Sequence, residues 1–171
     1  MIRVTADEVM SWGPCWDRAK VRALLAEREA WTFEDAVDLW GTGRLPAKDF
    51  LWITLRRAVL SDKVLRLHAV RSARRALERE RAAKREPSPA SWEACDVAER
   101  FAHGEATREE LVAARSAAYA AYAAAAAAAA YAAAAAYAAA AAYAAYAAYA
   151  ESEAQVEDLI LLVAEEALSD A

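Results

Sequence analysis

The chain has 171 residues, of which 51 are alanine, four are glycine and four are proline. That composition excludes collagen-like repeats, Gly/Ser linkers, β-sandwiches and disulfide scaffolds, and it predicts a single all-α domain over 1–171. Residues 1–116 carry all 21 Lys/Arg with 19 acids, residues 117–150 carry no charge, and residues 151–171 carry seven acids and no base. The formal net charge of −5 gives no general attraction for nucleic acid.

In chain order, Thr5-Ala6-Asp7-Glu8 reads as a capping box that opens a short helix closed by Gly13-Pro14, and a second helix is predicted over Trp16–Glu29. Thr32 caps a helix over Phe33–Leu39. The apolar run from Phe50 to Leu55 is assigned to helix because no turn signal or partner strand follows it. Ser61 then caps a long helix over about Asp62–Arg85, stopped by Pro87-Ser88-Pro89. Trp92, Cys95, Ala98, Phe101 and Ala102 recur at helical spacing, with Gly104 as the residue that finishes that helix. Trp12, Trp16, Trp31, Trp40 and Trp52 are expected to pack a core within this N-terminal cluster, 1–105.

Thr107-Arg108-Glu109-Glu110 is a further capping box, opening a helix predicted over 107–150. From Ala117 to Ala150 it holds only Ala and Tyr, and alanine has no side-chain entropy to lose on forming a helix. The tyrosines are spaced in multiples of three, so at about 100° per residue they project all round the axis and form no stripe. Such a helix is expected to be shielded by the N-terminal cluster or by a second copy of the chain, with Tyr131, Tyr137 and Tyr143 as candidate contacts. A membrane span is not expected, because alanine inserts weakly and the rings are scattered along the helix instead of lying at its ends. An acidic amphipathic helix follows over 151–171; Glu151-Ser152-Glu153 is where a bend would fall, though nothing there forbids a continuous helix.

The helix over 62–85 is the most basic element. Arg71, Arg74, Arg75, Arg79 and Arg81 share one side, opposite Leu65, Ala69, Ala73, Ala76 and Leu77. No aromatic residue is interleaved with the arginines. The stripe is therefore read as a solvated or protein-binding face, or one that docks the acidic tail, ahead of a phosphate track. No metal-ligand spacing, glycine-rich phosphate loop or nucleophile elbow occurs, so no catalytic residue, metal or cofactor is expected. Cys15 and Cys95 are expected to be reduced and inert. Asp7 and Glu8 stand where a secretory leader would be apolar, which predicts a cytoplasmic protein.

With Trp12-Gly13-Pro14-Cys15, Leu65-Arg66-Leu67 leading into Arg74-Arg75-Ala76-Leu77, then Ala98-Glu99-Arg100-Phe101 and Gly104-Glu105-Ala106-Thr107, the chain resembles the alanine-rich immunity proteins of bacteria and their phages over residues 10–150. The resemblance implies a binder that neutralises a toxin or effector protein without catalysis, and it transfers no catalytic residue. The expected architecture is an N-terminal cluster of short helices packed on one very long Ala/Tyr helix. Its expected action is binding an unidentified protein, with a self-associating helical rod as the competing reading.

Overall fold

The computed structural model describes residues 3–14, 18–129 and 140–169, with side chains described at 3–14, 19, 21–121 and 152–168. Among the described residues the chain is helical: α1 Ala6–Ser11, α2 Arg18–Leu25, α3 Phe33–Gly41, α4 Ala47–Thr54, α5 Asp62–Ala82, α6 Pro89–Ala102, α7 Arg108–Ala129 and α8 Ala140–Ser169. Strand-like pairing there is confined to one antiparallel bridge between Val4 and Trp31. Where the sequence suggests one domain, the structure gathers into two compact units, Met1–Ser61 and Asp62–Ala171. α5 and α6, which the sequence groups with the N-terminal cluster, therefore belong with α7 and α8.

In the first unit the caps act as the sequence implies. The Thr5 amide donates to Glu8 Oε2 at 2.7 Å and the Glu8 amide to Thr5 Oγ1 at 3.3 Å; Thr32 and Asp35 repeat the arrangement at α3. α2 stops at Leu25, four residues short of the expected end. Trp31 Nε1 donates to the Leu25 carbonyl at 3.0 Å, and Val4 and Trp31 exchange backbone hydrogen bonds, so the chain turns back where helix periodicity alone would continue. Phe50, fully buried on α4, lies 5.7 Å from the Phe33 ring and 6.2 Å from Trp40. Trp31 is core; Trp12 and Trp52 are half-buried and hold the Arg56 guanidinium over their faces. Trp16 lies outside the described residues.

In the second unit α6 lies between α5 and α7 and packs on both, while α8 packs on α5. α5 ends at Ala82 because Lys84 adopts a left-handed conformation, φ 60°, and the Arg85 amide closes onto the Glu80 carbonyl at 2.9 Å. Gly104, φ 77°, ends α6 in the same way, and the Thr107/Glu110 box opens α7. α8 runs without interruption through 151–153, the continuous of the two arrangements that the sequence allows. Acidic residues there are compatible with helix, and Val156, Leu159 and Leu162 lock the following turns against α5. One very long helix over 107–150 is not shown: the described residues give two helices, α7 to Ala129 and α8 from Ala140, and residues 130–139 lie outside the described residues. Tyr119, the one ring of the repeat with a described side chain, is 74% exposed, so the shielded packing expected of that helix is absent at this position.

Candidate functional site

α5 uses two opposite faces. With Arg66 at zero and about 100° per residue, Ala69, Val70, Ala73, Ala76 and Leu77 cluster around the zero direction, while His68, Arg71, Ser72 and Arg75 cluster on the far side. The far side receives α8. There Arg71 pairs with Glu165 at 2.9 Å, and Arg75 pairs with Asp158 while donating to the Ala154 carbonyl at 3.3 Å. Arg74, at the edge facing α6, reaches both Asp96 and Glu99 at 2.7 Å, and the Glu99 hydrogen bond is the main cause that raises its pKa further. Arg81 stacks 4.9 Å over the Trp92 ring, and Arg79 also has partners within the fold. Part of the basic stripe is thus an internal fastening, as the tail-docking reading anticipates: the Arg71, Arg74 and Arg75 side chains keep 33%, 30% and 24% of their surface, while Arg79 and Arg81 are exposed. Tyr131 and Tyr137 lie outside the described residues, and Tyr143 falls on α8 with its side chain undescribed.

The opposite, alanine face of α5 was expected to be the inward one. In the structure Ala69, Ala73 and Ala76 are exposed, and they form one wall of an open cleft of about 540 Å³. α6 contributes Ala94, Cys95, Ala98 and Phe101, and α7 contributes Leu111, Arg115 and Ala118. Successive ties from α5 to α6, Arg66 to Phe101, Arg74 to Asp96 and Arg81 to Trp92, run in opposite chain directions, so the two helices are antiparallel. The short turn at 103–107 folds α7 back along α6 in turn. Arg66 therefore stands toward the end of the cleft where α6 finishes, and Arg115, seven residues into α7, stands farther along it. The floor is shallow because its side chains are small. Alanines at 69, 73 and 76 and at 94 and 98 carry this pattern in the sequence, but the same spacing describes a core stripe equally well.

Two groups here have chemistry. Burial pushes the Cys95 thiol up from its ordinary pKa, which makes it a poor nucleophile at neutral pH. His68 is buried on the α8 side with Nδ1 unpartnered, and burial first, then the Arg75 charge, holds it below its ordinary pKa. Among the described residues no group of His, Cys, Asp and Glu could hold a metal ion, and no helix is long and apolar enough to cross a membrane. No protein-family model matches the chain, and no curated protein and no solved structure matches it.

Proposed function

We propose that this is a non-enzymatic protein-binding protein, immunity-like in its action, that takes a helical segment of a partner into the cleft between α5, α6 and α7. The observation that carries this reading is the cleft itself: three helices present small apolar side chains to an open groove of about 540 Å³, on the side of α5 away from α8. Small residues let a foreign backbone approach closely, and the apolar surface gives the driving force. The basic stripe supports the same conclusion from the other side, since its arginines are engaged with the fold's own carboxylates and with Trp92. A reduced, buried Cys95 accords with action in the cytoplasm.

A self-associating reading has one observation of its own, the exposed Leu161 and Leu168 on α8. The two are separable. A partner captured from host lysate and then purified should bind the wild-type chain and a Glu86→Lys control, but not Ala73→Glu. Capture undiminished by Ala73→Glu would remove the cleft from the reading. A concentration-dependent dimer by light scattering, lost in Leu161→Glu/Leu168→Glu, would favour self-association.

A further inference from the structure

We propose that α8 is an acid-sensitive latch on α5, with His68 beneath it as the trigger: a proton on this ring puts a third positive charge beside Arg71 and Arg75 and releases α8, while α5, α6 and α7 stay together. This is the side of α5 away from the cleft, and the device works whatever the cleft takes. His68 is 5% exposed, and its Nδ1 has no hydrogen-bond partner among the described residues. Ser72 Oγ, one turn along the same side, is also unpartnered there, so the two do not satisfy each other. A neutral ring can leave Nδ1 as an idle acceptor at modest cost. An imidazolium donates from both nitrogens, and here it would bury an N–H and a charge with nothing to receive them.

The surrounding charges act in the same direction. On α5 the ring is flanked by Arg71 and Arg75; from α8 it faces Asp158, whose carboxylate is already paired with Arg75. Glu165, two turns farther along α8, is paired with Arg71. α6 meets α5 on another side, where Asp96 and Glu99 hold Arg74. Close by, Lys63 and His103 line a small pocket with Leu162, Glu165 and Glu166. One carboxylate already faces two guanidiniums, so a third cation adds repulsion to the cost of burial. Burial first, then the Arg75 charge, accordingly holds the ring below its ordinary pKa. Once α8 lifts, the ring reaches water and takes its proton at about pH 6.5, so proton uptake and opening are linked. Lifting uncovers Val156, Leu159 and Leu162 together with Arg71 and Arg75. The acid form thus presents an apolar and basic face that neutral pH hides.

The test follows amide hydrogen exchange of the full chain at about pH 7, 6.2 and 5.4, corrected for the intrinsic pH dependence of exchange; the lower limit stays above the ordinary carboxylate range. Opening of residues 156–166 should rise several-fold across that range, by at most about tenfold per pH unit because one proton is involved, while residues 94–101 of α6 change by less than about twofold. His68→Gln and His68→Leu should each hold the α8 opening level within about twofold, and His103→Gln should keep the wild-type rise. A flat wild-type profile, or a rise that survives in both His68 variants, overturns the latch. A rise lost in His103→Gln overturns it too, by moving the trigger to the neighbouring pocket. An equal rise in α6 would show acid loosening the whole second unit instead of releasing α8, and would sink the proposal as well.

Discussion

The Arg75–Asp158 and Arg71–Glu165 pairs between α5 and α8 should differ in strength by several fold, and the difference can be worked from their burial. Arg75 and Asp158 each keep 24% of their side-chain surface, and Arg75 also donates to the Ala154 carbonyl. Arg71 keeps 33% and Glu165 keeps 62%. Exposed pairs contribute about 0.2–1 kcal/mol, and breaking a fully buried one costs about 3–5 kcal/mol because a charge is left without its partner. Asp158→Ala lies between these limits. It should cost about 2 kcal/mol, with the Ala154 carbonyl retaining part of the guanidinium's hydrogen bonding. Glu165→Ala belongs with the exposed pairs and should cost about 0.5 kcal/mol. Amide hydrogen exchange across residues 156–166 reads the opening of this helix directly, which matters because a chain with two compact units need not unfold in one step. A double-mutant cycle with Arg75→Ala should give a coupling of about 1–2 kcal/mol. Equal effects of Asp158→Ala and Glu165→Ala, or a coupling under about 0.5 kcal/mol, would show that burial does not set the strength of these ties.

Leu159 is fully buried and Leu161 is 56% exposed on the same helix, so urea unfolding should show a loss of about 3–4 kcal/mol for Leu159→Ala and a change within about 0.5 kcal/mol for Leu161→Ala. His68 has a folded pKa below its unfolded value, so the unfolded chain takes up its proton first. Stability attributable to this group is intact above about pH 6.5 and is lost as pH falls toward the folded value, a dependence that His68→Leu should remove from a pH series of urea midpoints. Lys84→Gly should stabilise the second unit by about 0.5–1 kcal/mol in a thermal melt, because glycine adopts the left-handed cap without the steric cost that lysine bears; a destabilised variant would mean the Lys84 side chain matters more than its backbone.

Much of the fold was legible because it rests on local rules. The capping boxes at Thr5, Thr32 and Thr107, the left-handed Gly104 and the Phe50 helix follow from residues within one turn of each other. Features set by distant contacts were not. α2 stops at Leu25 because Trp31 returns to its carbonyl, and no periodicity within α2 announces that. The same holds for the candidate site. On α5 the sequence separates an arginine side from an alanine side correctly, but which side is buried depends on what arrives there. α8 brings Asp158 and Glu165 to the arginines, and the alanines at 69, 73 and 76 are left in the open. A stripe of alanine carries little apolar area per residue, so it cannot by itself compel its own burial.

That inversion bears on the proposed binding mode. For Arg71, Arg74 and Arg75 to grip a nucleic-acid backbone, they would have to give up Glu165, Asp96, Glu99 and Asp158 in exchange for phosphates of the same sign. The exchange gains little in Coulomb energy, since each new contact replaces an existing one. It would also expose Val156, Leu159 and Leu162, each at most 2% exposed now, at about 1.5–3 kcal/mol apiece. Occupying the cleft exacts neither loss: its alanines already face water, Arg115 has nothing to surrender, and covering the groove removes apolar surface from solvent without opening the core. The same comparison predicts a salt response. Phosphate binding through α5 would weaken by orders of magnitude between 50 and 200 mM salt, whereas helix binding in the cleft should keep most of its affinity and lose only the share contributed by Arg66 and Arg115.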